Sequence, residues 1–187
     1  MIGSTLTATP GTWSDCTTLT YQWLRSGSAI SGATTPTYKV AGADEGKQLS
    51  IRVTGKQTGW ATVVKTSAKT AKVMKAGTPS ISGTPNPGYT LTARVGSWTS
   101  YITFSYQWKR NGVAISGATR STYKLTSWDA GKQVTVTVTG RKSGYTTVSR
   151  TTTPVTVGIT VNGWYQVGVK IQPGTYAAPG GSACYWE

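Results

Sequence analysis

The stretch that begins at Gly3 is written a second time from Gly88, in step and without a gap, at a spacing of about 85 residues. A period that long belongs to a whole folded unit, not to one turn of a solenoid. Thr5-Leu6-Thr7-Ala8 returns as Thr90-Leu91-Thr92-Ala93, Trp13 as Trp98, and Tyr21-Gln22-Trp23 as Tyr106-Gln107-Trp108. Ala29 to Thr34 returns at Ala114 to Thr119, Thr37-Tyr38-Lys39 at Thr122 to Lys124, and Val53-Thr54-Gly55 at Val138 to Gly140. Asp44, Gly46 and Lys47 return as Asp129, Gly131 and Lys132. Whatever the first copy folds into, the second must fold into as well.

Within each copy the apolar residues alternate with polar ones. Leu19, Tyr21 and Trp23 fall on one side of a strand, and Leu49, Ile51 and Val53 on one side of another. The second copy repeats this with Phe104, Tyr106 and Trp108, then Val134, Val136 and Val138. Period two with polar residues between is the mark of antiparallel strands that have one face on a core and one in water. Turn residues separate the runs at Arg110-Asn111-Gly112, Ser116-Gly117-Ala118, Asp129-Ala130-Gly131 and Lys142-Ser143-Gly144. Short strands at such intervals, each with one apolar face, are buried by packing two sheets together. The expected fold is an all-β sandwich, made twice.

The strings Tyr21 to Gly27 and Tyr106 to Gly112 resemble the immunoglobulin-like strand that carries the core tryptophan and the turn after it. Ala43 to Val53 and Trp128 to Val138 resemble the Asp-x-Gly corner that leads into a later core strand of that fold. The whole pattern is similar to immunoglobulin-like repeats of secreted and wall-associated proteins of Gram-positive bacteria, particularly actinobacteria, which also occur on phage virions. The resemblance implies two tandem immunoglobulin-like β-sandwiches, residues 1–74 and 75–157, followed by a short β-rich segment, 158–187. It implies structural roles for Trp23, Trp108, Tyr21, Tyr106, Asp44 and Asp129. The cysteine pair that bridges the sheets of antibody domains is missing, so the tryptophans and their neighbours must hold the cores. Cys16 is matched by Tyr101 in the second copy, which argues against a required disulfide, and Cys184 lies far away in sequence.

The copies differ at their start. Pro79 to Thr84 reads as a first edge strand for repeat 2, whereas nothing comparable precedes Gly3. Either that strand lies upstream in the full protein, or repeat 1 leaves an edge open, through which a neighbouring chain could pair. The tail resembles a short module of secreted actinobacterial proteins at Tyr165, Val167-Gly168, Ile171, Pro173 to Tyr176 and Cys184 to Glu187, with Lys170 where that pattern has an acid. As it stands the module is expected to be incomplete.

Chemistry is constrained by what the chain lacks. It has no histidine and only five acids, Asp15, Asp44, Glu45, Asp129 and Glu187, against 19 lysines and arginines, for a formal charge of +14. Without histidine the commonest general base and a principal metal ligand are gone. No two acids sit where a glycosidase pair would, and no phosphate-cradling loop is present. The expectation is a chain that is not an enzyme and carries no cofactor or metal.

Binding fits better. Trp60 and Tyr145 follow Gly59 and Gly144 in equivalent loops, and Trp128 precedes Asp129 in a turn. Such rings can stack on sugars, or simply cover the ends of a sandwich. Arg52 and Lys56 alternate onto an outward strand face, with Arg141 and Lys142 in the second copy; Arg25, Lys65, Lys109, Arg110 and Arg150 add to the basic surface. A surface of that sign attracts anionic polymers. Cell-wall polymers or glycans are the expected partners, and no motif for reading nucleic acid accompanies the charge. No apolar run reaches the ~20 residues that span a bilayer. With the family resemblance, this points to an extracellular, cell-surface or virion-surface location, although the start has no signal peptide. The expected role is a non-catalytic spacer or adhesion module. A phage tail or capsid decoration, the accessory region of a wall hydrolase and a strand-exchanging filament subunit are the alternatives.

Overall fold

The computed structural model describes residues 1–159. The tail residues that resemble a secreted module, Cys184 among them, lie outside the described residues. Repeat 1 contains β1 (Thr5–Thr7), β2 (Thr18–Arg25), β3 (Ser28–Ala29), β4 (Thr37–Lys39), β5 (Leu49–Lys56) and β6 (Val63–Thr66). Repeat 2 contains β7 (Ser80–Ser82), β8 (Thr90–Arg94), β9 (Thr103–Arg110), β10 (Val113–Ala114), β11 (Thr122–Lys124), β12 (Gln133–Arg141), β13 (Val148–Thr151) and β14 (Val155–Thr156). One-turn 3-10 helices at Gly42–Asp44 and Ser127–Asp129 precede the long later strands.

In repeat 2 one sheet runs β11-β8-β7 and the other β10-β9-β12-β13, with β14 pairing the start of β12. In repeat 1 the matching sheets are β1-β4 and β3-β2-β5-β6. All of these pairings are antiparallel. Two such sheets, with the tryptophan strand in the second, have the strand order of an immunoglobulin-like sandwich. The alternation explains the pairing. β12 sets Val134, Val136 and Val138 on one side, all buried, opposite Arg110, Trp108 and Tyr106 of β9.

Trp108 is fully enclosed. Its ring stacks on Tyr123 at 5.6 Å between centroids, and its indole N–H donates to the Arg120 carbonyl at 2.9 Å. Trp23 does the same with Tyr38 and the Thr35 carbonyl. Tyr21 and Tyr106 are half-buried beside them. Trp13 and Trp98 each lie across a glycine of the opposite sheet's central strand. A methyl at Gly140 would come within 2.6 Å of the Trp98 ring, and Gly55 meets Trp13 in the same way. Glycine is needed there for room, not for its freedom of backbone angle.

The two cores are not equally closed. Repeat 2 has one continuous cluster of Leu91, Ala93, Trp108, Leu125, Val134, Val136 and Val157, with Ile81 of β7 packed against it. The corresponding residues of repeat 1 divide into two groups, Trp23, Ile51 and Val53 in one and Val40, Leu49 and Val73 in the other. Leu6 and Ala8, the counterparts of buried Leu91 and Ala93, are only half-buried. The reason is visible in the sheets. β8 has a partner on each side, β11 and β7, while β1 has β4 alone among the described residues.

The in-step alignment needs one correction. The spacing of 85 holds through the last strands, where Ser67 and Thr152 hydroxyls accept from the backbone of Ile51 and Val136. It then slips by one. Val73 accepts from Gly46 and Val157 from Gly131, a spacing of 84, because repeat 1 carries an extra residue between Thr70 and Val73.

Candidate functional site

The corner before β12 is built around a buried carboxylate. Asp129 has no exposure; its Oδ1 accepts from Arg110 Nε at 2.7 Å, and its Oδ2 accepts from the Tyr123 hydroxyl, the Thr126 backbone N–H and the Thr126 hydroxyl. Asp44 is held likewise by Arg25 at 2.6 Å, Tyr38 and the Ala41 N–H. Burial alone would push the Asp129 carboxyl up, but the donors from Arg110, Thr126 and Tyr123 outweigh it and hold it below the usual carboxylate range. Burial pushes both tyrosine hydroxyls up, and the hydrogen bond each gives its aspartate adds to that. These acids are locked into structure and offer nothing to a substrate. Two arginines expected on the basic surface, Arg25 and Arg110, are thereby corrected: their guanidinium groups serve Asp44 and Asp129.

The candidate contact residues fall in three places. Arg52 and Lys56 are exposed on the outward face of β5, where register sets them opposite Gln22 and Thr18 of β2. Trp60 and Trp128 stand 75% and 79% exposed on different repeats. Arg141 is exposed at the end of β12. Tyr145 and Lys142 are half-buried, not free in solvent as a loop pair would be: Lys72 of repeat 1 packs on the Tyr145 end of the loop, and Lys142 lies against Ser100 and Tyr101 of its own repeat. The structure thus brings together Lys142 and Tyr145, and leaves the others apart.

What gathers around Tyr145 is a seam between the repeats. The Lys72 N–H donates to the Gly144 carbonyl at 2.9 Å and the Thr146 N–H to the Lys72 carbonyl at 3.1 Å, so a short parallel bridge crosses from one repeat to the other. Thr99 makes a second link. Its hydroxyl donates to Glu45 Oε1 at 2.8 Å and accepts from the Lys75 N–H at 2.9 Å, and its N–H donates to the Lys75 carbonyl. The Tyr145 hydroxyl lies close over Gly46.

On this seam the charges and rings interleave. Lys142 Nζ is 4.9 Å from the Tyr145 ring centroid and 5.6 Å from that of Tyr101, and it donates to the Ser100 carbonyl at 2.9 Å. Lys72 Nζ is 5.8 Å from the Tyr145 ring. Tyr101 is 93% exposed and sits at φ +59°, in the left-handed region that non-glycine side chains seldom adopt. Among the described residues neither ammonium has a carboxylate within 4 Å, and the ion pairs are those of Arg25 and Arg110. Two cations and two aromatic faces, with Glu45 turned to Thr99 instead of to either ammonium, can hold an anionic, ring-containing ligand. An open hollow lined by Ser116 to Arg120 and Tyr123 has no acid in its wall. No group of three or more histidine, cysteine or acidic residues able to hold a metal occurs among the described residues.

Sequence reasoning missed Lys72, Thr99, Glu45 and Tyr101. A signal was present in the comparison of the two copies. Glu45 stands against Ala130, Thr99 against Ser14, Tyr101 against Cys16 and Lys142 against Gln57. The seam is written where otherwise similar copies disagree.

No family model matches the chain, and no curated protein does. Among solved structures it is similar to the tandem Ig repeats of Dlar, at 13% identity over 77% of this chain and 84% of that one, with a TM-score of 0.29. At that distance the likeness adds nothing to what the sheet order shows. No helix among the described residues is long and apolar enough to cross a membrane.

Proposed function

We propose that the chain is a non-catalytic, surface-displayed spacer that also adheres to anionic wall polymers, with the contact centred on the seam. The observation that carries this reading is Lys142 between the Tyr101 and Tyr145 rings, with Lys72 on the same tyrosine and neither ion-paired among the described residues. The seam supplies charge for the phosphates or uronates of such a polymer and ring faces for its sugars. The formal charge of +14 draws the polymer in, and Arg52, Lys56 and Arg141 extend the attraction along the strands. The paired hydrogen bonds at Lys72 and Thr99 support the spacer role, since they restrain the joint. The resemblance to repeats of secreted actinobacterial proteins fits the same role.

The test is co-sedimentation of the full chain with purified Gram-positive walls across a salt series, beside walls stripped of teichoic acid. Binding should fall as salt rises, because exposed charges are screened, and should fall on stripped walls. Lys142→Ala and Tyr101→Ala should each weaken it several-fold with the fold intact. Binding that ignores salt and both substitutions would remove the seam from consideration.

A further inference from the structure

Exposed side chains line the hollow beside β11: Thr90 on β8, Thr122 and Lys124 on β11, and Ser116, Thr119 and Arg120 on the turn that leads into β11. Register sets Lys124 opposite Thr90 and Thr122 opposite Thr92, with Tyr123 and Leu91 turned to the core between them. Thr90, Thr122 and Lys124 therefore share the outward face of their sheet. The turn is held from beneath by β9. The Trp108 backbone N–H donates to the Ala118 carbonyl at 3.0 Å, its indole N–H to the Arg120 carbonyl, and the Gln107 amide to the Ile115 carbonyl at 2.9 Å. The wall of the hollow is tied to the core and stands preformed.

Its chemistry is one-sided. No acid lines it, and Arg120 is not one of the two arginines committed to an aspartate. A guanidinium fork and an ammonium among hydroxyls match a phosphate, since the fork meets two of its oxygens at once. The volume, about 440 Å³, is in the range of small-molecule sites and exceeds what a phosphate alone fills. The hydroxyls around the cations suit a polyol or sugar attached to it.

The two copies isolate the deciding residue. Thr5, Ser31, Thr34, Thr37 and Lys39 hold the corresponding positions in repeat 1, and only Arg120 is exchanged, for Thr35. The Thr35 carbonyl accepts from the Trp23 indole as that of Arg120 does from Trp108, so the backbone is placed alike. The Thr35 hydroxyl turns back to donate to the Thr37 carbonyl at 2.7 Å. One frame carries a cation at this point and the other does not.

We propose that the hollow of repeat 2 binds a phosphorylated polyol or sugar, with Arg120 and Lys124 on the phosphate and the Thr90, Ser116, Thr119 and Thr122 hydroxyls on the polyol. None of these residues belongs to the seam, so either site can stand without the other.

The experiment is an NMR titration of the full chain with glycerol phosphate at constant ionic strength, beside glycerol and inorganic phosphate alone. Amides of residues 116–124 should shift to saturation, and more tightly with glycerol phosphate than with either part. Arg120→Thr installs the residue that repeat 1 carries on the same backbone, which preserves the fold, and should weaken binding about tenfold. Thr35→Arg should bring the amides of residues 31–39 into the response. Lys142→Ala and Tyr101→Ala should leave the titration unchanged, which keeps this outcome apart from wall binding at the seam. A phosphodiester oligomer of glycerol binding more tightly than the monoester would assign a polymer as the source, and the reverse a free ligand. No saturable shift at 116–124 would overturn the proposal. So would an Arg120→Thr titration identical to wild type, or an equal loss in Arg52→Ala, which would mark general charge attraction.

Discussion

At the scale of single residues, the buried aspartates decide how the fold answers to pH. Asp129 is held below its ordinary range, so its contribution is present above the unfolded value and is lost as pH falls through the folded one. Repeat 2 should accordingly hold its stability down to about pH 4, where a free aspartate begins to protonate, and weaken below it. The raised hydroxyl of Tyr123 works in the other direction: its contribution stands below about pH 10 and goes as pH rises past that. Chemical denaturation from acid to alkali should show a plateau between these limits, and in Asp129→Asn the acid arm should flatten. Removing one partner of a buried pair leaves the other uncompensated, at a cost of about 3–5 kcal/mol. In Asp129→Ala the Arg110 left behind is 30% exposed and can turn to water, so the cost should fall at or below the low end of that range, and a shift in denaturation midpoint at constant slope would measure it.

At the scale of elements, the glycines of the long central strands are part of the packing. Gly140 sits in β12 where ladder alternation would favour a larger residue, and the Trp98 ring fills the space. Gly140→Ala should cost about 1–3 kcal/mol by displacing that ring, and the double change Gly140→Ala with Trp98→Leu should recover part of it. A double-mutant cycle read by urea denaturation checks the coupling. These elements were readable beforehand to an uneven degree. The strands of Tyr21 to Trp23 and Val134 to Val138 follow from alternation, and the corner from Asp-x-Gly. The guanidinium–aspartate pairs did not, because Arg25 and Arg110 lie 19 residues before their partners and look in sequence like any other surface charge. The seam was harder still: Tyr145 and Trp60 are equivalent in sequence, and their surroundings differ through Lys72 of the other repeat and through Tyr101 and Lys142, which face Cys16 and Gln57 in the first copy.

At the scale of the whole molecule, two copies of one pattern have unequal cores. Repeat 1, with its interior in two groups and β1 paired on one side among the described residues, should open before repeat 2. Hydrogen exchange should find the β1 and β4 amides less protected than those of β8 and β11, since few buried contacts and an exposed edge lower the local opening free energy. Equal protection in the two would mean that something already covers the edge. The contacts across the seam have a different consequence. Glu45, Thr99, Lys142 and Tyr145 each face a different residue in the other copy, so the two units are not interchangeable parts. A chain with their order reversed would keep both sandwiches and lose the joint. Its order, first unit then second, is itself specified, as word order is in a sentence whose words could each stand alone.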